Sequence, residues 1–350
     1  MLYPIILSGG IGKRLWPVSS QNNPKQFQKL FNNKTLIQNT YQRILQGFDK
    51  KNIFVVTNIN SLDCIKSQLN IAEQNILAES DVRGTAVAIG LAAVKLVTID
   101  PKANLVIINS DQYIKDEDKY IKLLRQGEKY LAGKYADKFI MAGIKASYPE
   151  TGYGYIKLGK KLDNKLFLVD SFKEKPNKDT AEQYIKDGFL WNPAIFLFKA
   201  QQLLDWYGQY LPDVYKALMI IAKDWSVANL AKEYAKLENI SIDYGLLEKM
   251  NDMLVIPTDM AWADIGSWRS LKIILSKAKQ ANVTNTRNVS IDSKNNLFYS
   301  SNNKLIATIG VEGMAVVETD DVIFLCPMDR SQDIKKLLTQ IKKKKLDKYL

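Results

Sequence analysis

The segment Ser8–Arg14 carries residue types that could bind a polyphosphate. It reads Ser-Gly-Gly-Ile-Gly-Lys-Arg and directly follows an apolar run. Glycines let the backbone approach a ligand closely, and their N–H groups can cradle phosphate, while Lys13 and Arg14 can neutralise its charge. The spacing matches neither the Walker A loop nor the dinucleotide-binding Gly-x-Gly-x-x-Gly pattern. Taken alone, the segment favours phosphate binding and leaves a tight turn without a ligand as the alternative.

Single charged residues further along the chain could complete such a site. Lys25 follows the glycine segment in Pro-Lys-Gln-Phe, and Lys175 lies in a charged cluster after an apolar run. Asp111 comes at the end of an apolar run, where a metal-binding carboxylate would sit, and Asp264 lies between two tryptophans. Each also has a simpler interpretation: a strand-end cap for Asp111, a helix N-terminal residue for Asp264 and a solvated turn for Lys175.

The residue types that are absent exclude several chemistries. The chain has 350 residues, no histidine and only two cysteines, Cys64 and Cys326. Without histidine there is no Ser-His-Asp triad, no Cys-His dyad, no imidazole metal ligand and no imidazole general base. The two cysteines are too far apart in sequence for a zinc knuckle or a CxxC pair. Two lone cysteines fit a reducing, cytoplasmic setting.

The formal net charge is +12, and the segment Ile334–Leu350 contributes seven lysines against one aspartate. A basic tail can bind nucleic acid or anionic lipid, but its apolar positions favour a solvated amphipathic helix. No aromatic residue lies between these lysines, which weakens a single-strand nucleic-acid interpretation. No apolar run reaches the roughly 18 residues that a membrane helix needs. We therefore predict neither a nucleic-acid partner nor a membrane partner.

Strands and helices that alternate along the chain must position these residues. Apolar runs predict buried strands, and the stretches between them have helical periodicity. The predicted strands are Tyr3–Ser8, Ile53–Thr57, Asn75–Glu79, Leu105–Ile108, Phe139–Ile144 and Trp191–Phe198; the predicted helices include Thr35–Gln46, Thr85–Val97, Glu117–Leu131, Asp179–Asp187 and Ser267–Gln280. This order predicts an α/β fold with a Rossmann-like, mostly parallel mixed sheet. Ligands in such sheets sit at the carboxyl ends of the strands, where the polar clusters 8–12, 109–111 and 143–144 lie.

The pattern changes twice in the second half of the chain. Strands at Gly152–Ile156 and Phe167–Phe172 predict an antiparallel excursion, and helices fill about 200–250. Beyond 285, short strands are separated by turn residues such as Lys-Asn-Asn and Ser-Asn-Asn. We predict a catalytic domain over 1–275 and a small β-rich domain, similar to a β-helix, over 285–350 that ends in a basic helix.

In their order and spacing, the charged and glycine-rich segments resemble the sugar-1-phosphate nucleotidylyltransferase superfamily, and most of all its bacterial mannose-1-phosphate guanylyltransferase (GDP-mannose pyrophosphorylase) family. The resemblance covers essentially the whole chain. The segments that carry it are Gly9–Pro17, Pro24–Phe27, Glu79–Ala86, Asn109–Gln112, Thr151–Ile156, Phe172–Pro176, Trp191–Phe196, Ser241–Tyr244 with Glu248–Lys249, and Trp262–Trp268.

The resemblance implies a GT-A-like nucleotidyltransferase fold and a Mg²⁺-assisted reaction. In that reaction GTP and α-D-mannose 1-phosphate give GDP-mannose and pyrophosphate by in-line attack. By the same resemblance, Asp111 and Asp264 are the Mg²⁺ ligands. The implied catalytic residues are Arg14, Lys25, Asp111 and Asp264; the implied nucleotide-binding residues are Ser8, Gly9, Gly10, Gly12, Lys13, Arg14, Arg83 and Thr85; the implied sugar-phosphate-binding residues are Gly152, Glu174, Lys175 and Asn192.

The sequence departs from the family pattern at four positions. Lys13 stands where threonine is common, Gly84 replaces an asparagine, Gln112 replaces a histidine, and Pro193 replaces a serine. None of these changes removes a proposed charge centre. Because 84 and 193 border the nucleotide and the sugar, they bear on the choice of base and of sugar.

The resemblance also implies a cytoplasmic homodimer that takes part in GDP-mannose and polysaccharide biosynthesis. Many relatives carry a phosphomannose isomerase domain with histidine metal ligands, and because this chain has no histidine we predict no isomerase activity. Two alternatives remain open. The first is a nucleotidylyltransferase for another base or hexose 1-phosphate, and the second is a non-catalytic nucleotide-sugar-binding protein on the same fold.

Overall fold

A computed structural model describes residues 1–276, 278 and 280–350 of the chain. They divide into a first unit of residues 1–9, 41–110 and 114–262, and a second unit of residues 10–40, 111–113 and 263–350. The strands up to residue 264 are β1 Leu2–Ser8, β2 Phe54–Asn58, β3 Ile76–Glu79, β4 Asn104–Asn109, β5 Gln112–Ile114, β6 Phe139–Lys145, β7 Gly154–Asp163, β8 Leu166–Glu174, β9 Leu190–Trp191, β10 Phe196–Lys199, β11 Met253–Thr258 and β12 Trp262–Asp264.

The first unit is built on a ten-stranded sheet in the order β11-β8-β7-β9-β6-β10-β4-β1-β2-β3. Strand β1 pairs in parallel with β2 and β4, and β2 pairs in parallel with β3. Beyond β4 the sheet is mixed, because β10 runs antiparallel to both β4 and β6. The parallel strands end at Ser8, Glu79 and Asn109, which therefore lie at one edge of the sheet. The predicted α/β class with a mixed sheet is confirmed.

Nine helices accompany these strands up to residue 245, and several of them pack on the sheet. They are α1 Leu36–Leu45, α2 Leu62–Gln68, α3 Thr85–Ile99, α4 Glu117–Ala132, α5 Lys178–Lys186, α6 Ala200–Tyr210, α7 Pro212–Ile221, α8 Val227–Tyr234 and α9 Ile242–Gly245. Helix α3 is buried at every position from Ala86 to Val94, as its continuous apolar sequence predicts. It packs against α6 and α7 in the main hydrophobic core.

The predicted strand Trp191–Phe198 is wrong in its middle. The structure has two strands there, β9 and β10, separated by Asn192–Ile195. Pro193 has no N–H for a strand ladder, and Ala194 has a φ of 53°, a left-handed conformation that a strand residue does not adopt. The apolar composition of the run concealed this break, which places Asn192 in a loop.

The carboxyl-terminal part of the second unit consists of short stacked strands. They are β13 Val283–Thr284, β14 Asn288–Ile291, β15 Leu297–Ser300, β16 Ile306–Ile309, β17 Met314–Glu318 and β18 Ile323–Pro327, preceded by α10 Trp268–Leu275 and followed by α11 Ile334–Lys343. Strands β14 and β16, and likewise β15 and β17, pair in parallel, with partners 18 residues apart as at Ser290 and Thr308. Strand β13 also pairs in parallel with β15, at a separation of 14 residues. Successive parallel pairing of this kind is the geometry of a β-helix coil, as predicted.

The core of the second unit joins the amino-terminal loop to these strands. Trp16 packs edge-to-face on Phe324 with ring centroids 5.6 Å apart, and the Trp268 indole donates a hydrogen bond to the Trp16 carbonyl at 3.0 Å. Leu15, Trp16, Val18, Leu30 and Leu36 share one hydrophobic cluster with residues of β15, β17 and β18.

Two predictions include positions that the structure does not describe. The predicted helix Ser267–Gln280 is observed as α10, which ends at Leu275, and positions 277 and 279 lie outside the described residues. The predicted boundary at 275–285 includes those two positions, and the predicted domain limits stay a prediction. Among the described residues, no helix has the length and apolar composition to span a membrane.

Candidate functional site

A cluster of two carboxylates and two cations lies in the second unit; we call Arg14, Lys25, Asp111 and Asp264 the carboxylate–lysine cluster. The buried Lys25 ammonium lies 2.7 Å from Asp111 Oδ2 and 3.9 Å from Asp264 Oδ1. It also donates a hydrogen bond to the Ile265 carbonyl at 3.0 Å. All four residues were predicted to be catalytic.

The electrostatics of this cluster follow from burial and from the close approach of like charges. Burial lowers the pKa of Lys25, but the charges of Asp111 and Asp264 outweigh that effect, so its pKa is raised and it stays an ammonium. Burial raises the pKa of Asp264, and the neighbouring charge of Asp111 raises it further, against the opposing influence of Lys25 and Arg14. Two carboxylates that share one cation are an arrangement that favours the binding of positive charge.

Glycines bring backbone close to this cluster at two places. Gly12 has a φ of 77°, and a Cβ there would lie 2.5 Å from the Cβ of Lys25. A Cβ on Gly266 would lie 2.3 Å from Asp264 Oδ2 and 2.8 Å from Arg14 Nη2. Any side chain at either position would displace a member of the cluster, so the glycines are required for its geometry.

The donor set of the cluster fits a hard divalent cation. Asp111 and Asp264 supply carboxylate oxygens, and Mg²⁺ in proteins usually takes one or two carboxylates and completes its shell with water and phosphate oxygens. No group of three or more Asp, Glu, Cys or His residues that could hold a metal occurs in the described part of the chain. The described residues therefore offer the two carboxylates of this cluster and no protein-enclosed set of three or more such ligands.

A second polar cluster lies in the first unit; we call Glu174, Lys175, Asn192, Asp243 and Tyr244 the β8–β9 cluster. The Lys175 ammonium contacts Glu174 Oε1 and lies 5.9 Å from the centre of the Tyr244 ring. The Asn192 amide donates to Asp243 Oδ1 at 3.3 Å, and its own oxygen accepts from the Ala194 N–H at 2.9 Å.

The charges of the β8–β9 cluster interact. Burial, and then the charge of Glu174, raise the pKa of Asp243 to about 6. Burial lowers the pKa of Lys175, but its hydrogen bond to Glu174 and the nearby Asp243 more than compensate, so its pKa is raised. Lys175 has a φ of 48°, a conformation that costs free energy in a non-glycine residue and that occurs often at binding sites.

The remaining predicted nucleotide residues are distributed over both units. Ser8 ends β1, and its carbonyl accepts from Thr57 Oγ1 at 3.1 Å. Gly9 lies beside the Glu79 carboxylate, since a Cβ there would be 3.6 Å from Glu79 Oε2, whereas a Cβ on Gly10 would have no neighbour within 4 Å. Lys13 is exposed.

Arg83 and Thr85 contact the chain itself. Arg83 Nη1 donates to the Leu237 carbonyl at 2.9 Å and Nη2 pairs with Asp81 at 2.9 Å. Thr85 Oγ1 accepts from the Ile242 N–H at 2.9 Å. Both side chains thus fasten the segment around 237–242 to the start of α3. Gly152, predicted to contact sugar, donates its N–H to Glu150 Oε1 at 3.0 Å.

The structure points to two further carboxyl groups, those of Glu79 and Asp243, that the sequence did not predict as site residues. Glu79 is 3% exposed, lies beside Gly9 and accepts from the Tyr234 hydroxyl at 3.3 Å. Burial raises its pKa to about 8. Asp243 holds Asn192. Both lie within segments that carry the family resemblance, but only the structure shows that Glu79 is buried and Asp243 half-buried next to predicted site residues.

Comparison with known proteins places this geometry in a family. Residues 3–281 match the nucleotidyl transferase family, and residues 286–341 match the MannoseP isomerase/GMP-like beta-helix domain. Mannose-1-phosphate guanylyltransferase of Escherichia coli (strain K12) is 34% identical, over 97% of this chain and 73% of its own length. The alginate biosynthesis protein AlgA of Pseudomonas aeruginosa is 34% identical, over 97% of this chain and 72% of its own length.

A solved structure from Thermus thermophilus, described as a mannose-1-phosphate geranyltransferase, has the same fold. It matches with a TM-score of 0.90 at 28% sequence identity and covers 97% of this chain and 99% of its own. The similarity therefore includes both the large mixed sheet and the β-helix.

Proposed function

The chain belongs to the nucleotidyl transferase family, with a MannoseP isomerase/GMP-like beta-helix domain following, and from this premise we propose that it transfers GMP from GTP to α-D-mannose 1-phosphate. The products are GDP-mannose and pyrophosphate. The observation that carries the proposal is the buried Lys25 ammonium between Asp111 and Asp264, in a chain whose 34%-identical relative from Escherichia coli is a mannose-1-phosphate guanylyltransferase.

The proposed reaction needs no general base. A phosphate monoester has its second pKa near 6, so mannose 1-phosphate is largely a dianion at neutral pH. One of its oxygens attacks the α-phosphorus of GTP, the bond from that phosphorus to the bridging oxygen breaks, and pyrophosphate leaves with the electron pair. Alignment and charge neutralisation supply the catalysis. A chain without histidine is compatible with this chemistry.

We propose that Asp111 and Asp264 hold Mg²⁺. The bound ion would polarise the α-phosphoryl group. Lys25 keeps its positive charge because two carboxylates surround it, and it neutralises phosphate oxygens at the reacting centre. Arg14, which lies against Gly266 beside Asp264, stabilises charge on the leaving pyrophosphate.

We propose that the β8–β9 cluster binds the sugar phosphate. Lys175 supplies the cation for its phosphate, while Glu174 and Asn192 contact sugar hydroxyls. Asp243 holds the Asn192 amide and so positions it. Nucleotide contacts are assigned to the segment Ser8–Arg14 and to the start of α3.

The test is a matrix of nucleoside triphosphates and hexose 1-phosphates, with pyrophosphate release as the readout. We expect GTP with mannose 1-phosphate to give the highest kcat/KM. Another pair with a higher value would identify a different substrate specificity, and no release from any pair would identify a non-catalytic binding protein. Asp264→Asn should lower kcat by about 100-fold or more, whereas Asp213→Asn, the same change at an exposed helix position, should leave it unchanged.

We also propose a cytoplasmic homodimer that uses the β-helix. Val289, Ile291 and Ile309 are 59%, 57% and 76% exposed, and Ile291 and Ile309 are direct partners in the β14–β16 pair. An exposed apolar patch of this kind is typical of a protein interface. Light scattering should show a dimer that Ile291→Lys with Ile309→Lys converts to a monomer, while Ile220→Lys in α7 has no effect. Both cysteines are free, in keeping with a reducing compartment.

The relative AlgA is named an alginate biosynthesis protein. By analogy, we propose that the GDP-mannose made by this chain is used in polysaccharide synthesis. We propose that the chain supplies GDP-mannose and has no isomerase activity, since it has no histidine to bind an isomerase metal.

A further inference from the structure

A cavity of about 540 Å³ lies within the second unit, between the loop of residues 11–21 and helix α11. Lys13, Trp16 and Ser20 line it from the loop, and Lys335, Thr339 and Lys342 line it from the helix. The basic tail, which has no role in the proposed reaction, therefore forms one wall of a cavity whose other wall includes Lys13.

Positive charge predominates around this cavity. Lys13, Lys335 and Lys342 line it together with Leu350, whose terminal carboxylate is a negative charge beside them, and no Asp or Glu is among the described residues that do so. Within the described chain, Lys13, Lys335 and Lys342 make no ion pair, whereas the neighbouring Lys336 pairs with Asp333 at 2.9 Å. Like charges around one cavity repel each other, and an anion bound among them removes that repulsion.

Several contacts hold the tail in this position. The Trp16 indole donates to the Tyr349 carbonyl at 2.7 Å, Arg14 Nη1 donates to Gln332 Oε1 at 3.4 Å, and Leu338 packs against the hydrophobic cluster that contains Trp16. The backbone of the tail is thus fixed next to the loop, although the side chains of Lys335 and Lys342 are exposed. Cations on a fixed backbone form a binding site at a lower entropy cost than cations on a mobile chain.

We propose that this cavity binds a condensed phosphate, a diphosphate or triphosphate group, and that Lys335 and Lys342 bind it together with Lys13. This proposal rests on the proposed function in one respect, because Lys13 belongs to the segment assigned to the nucleotide. The phosphate chain has two possible sources, the substrate nucleotide or its pyrophosphate product during turnover, and a free polyphosphate that acts as an effector. A concave cavity lined by three lysines favours such a compact anion over a nucleic-acid strand, which would bind along an open surface.

Direct binding tests the proposal without any turnover. Calorimetric titration of the full-length chain with inorganic tripolyphosphate should show one site, and Lys335→Gln with Lys342→Gln should weaken it by about ten-fold or more, because charge-assisted hydrogen bonds are lost. The matched control is Lys336→Gln with Lys343→Gln, which removes the same charge from the same helix at exposed positions outside the cavity. Control affinity should stay within about two-fold of the unsubstituted chain.

Equal weakening in both double variants would mean that only net charge matters, and it would overturn the proposal. The proposal would also be overturned if tripolyphosphate did not bind. It would be overturned, too, if only an RNA oligonucleotide bound and both double variants weakened that binding equally. Unchanged thermal unfolding of the two variants excludes a folding defect as the cause.

Steady-state kinetics then identify the source of the phosphate. A higher KM for GTP in Lys335→Gln with Lys342→Gln, with an unchanged KM for mannose 1-phosphate, assigns the site to the nucleotide or pyrophosphate. Unchanged KM values, with loss of a tripolyphosphate effect on kcat, assign it to an effector. If no pair of substrates is turned over, the proposed function fails, but the titration still decides whether the cavity binds phosphate.

Discussion

A single ammonium group, that of Lys25, links residues that are far apart in sequence. It contacts the Ile265 carbonyl across a separation of 240 residues and lies between two carboxylates that would otherwise repel each other. The sequence predicted Lys25, Asp111 and Asp264 separately, through the resemblance. It could not predict that Lys25 is the cation between the two aspartates, because that contact depends on how distant segments fold together.

Lys175 permits a test at the scale of one residue. Lys175→Ala should raise the KM for mannose 1-phosphate by about ten-fold or more and change the KM for GTP by less than about two-fold, because a charge-assisted contact to the sugar phosphate is removed. Steady-state kinetics with each substrate varied in turn measure both values. Lys173→Ala, at an exposed position near the end of β8 and two residues before Lys175, is the control. A larger effect on GTP would assign Lys175 to the nucleotide.

Glu79 predicts a pH dependence of stability. Burial raises its pKa from 4.5 to about 8, so folding favours the protonated form. The stability associated with this group is complete below about pH 4.5 and is lost as the pH rises towards 8. Glu79→Gln cannot ionise, so its free energy of unfolding should exceed that of the unsubstituted chain by a growing margin, up to a few kcal/mol, over this range.

Urea unfolding at several pH values between about 5 and 9 measures this margin. Glu238→Gln changes an exposed glutamate and should show no such trend. A difference between Glu79→Gln and the unsubstituted chain that does not vary with pH would mean that Glu79 is ionised throughout.

At the scale of elements, the sequence predicted most strands and helices but failed where backbone conformation overrides composition. The apolar run Trp191–Phe198 has strand composition, yet Pro193 and the left-handed Ala194 interrupt it. Hydrophobic periodicity does not report the sign of φ. For the same reason, the replacement of an asparagine by Gly84 could be noted in the sequence but not explained.

The structure gives Gly84 a reason. Its φ is 87° and its ψ is 169°, a combination that essentially only glycine adopts. A Cβ there would lie 2.2 Å from the Ile240 carbonyl oxygen, which accepts the Ala86 N–H at the start of α3. The turn therefore excludes any side chain.

A pair of glycine substitutions separates backbone strain from steric overlap. Gly188 also has a positive φ, of 76°, but a Cβ there would have no neighbour within 4 Å. Gly188→Ala should cost about 1 kcal/mol of stability from strain alone, and Gly84→Ala about 3 kcal/mol or more because the carbonyl must also move. Chemical denaturation measures both. Equal costs would show that the turn at Gly84 relaxes readily.

At the scale of the whole molecule, chain order and spatial order differ. The predicted limits of two consecutive domains stay a prediction, and the second compact unit draws on three separate segments of the chain. Its core places Leu15 and Trp16 with Val317 and Phe324 in one cluster. Composition shifts along a chain mark where a pattern changes, but they do not show which early segment packs on a late one.

This core predicts the result of a truncation. A chain ending at residue 281 loses the strands on which Leu15 and Trp16 pack, so the segment 10–40, which includes Lys25, should lose its hydrogen-exchange protection and the chain should lose activity. Mass spectrometry of amide exchange measures this. Amides of β1, β4 and β6 belong to the first unit and serve as the internal control. Full protection of 10–40 in the truncated chain would contradict the shared core.

The 18-residue pairing interval of β14 with β16 and of β15 with β17 has a consequence for the gene. A coil that repeats its register every eighteen codons can be duplicated or deleted as a whole in frame, and the strands on either side still meet equivalent neighbours. A shorter insertion would shift all later pairings and place apolar side chains on the wrong face. Descendants of this gene should therefore vary in length here by whole coils, with other insertions confined to the turns.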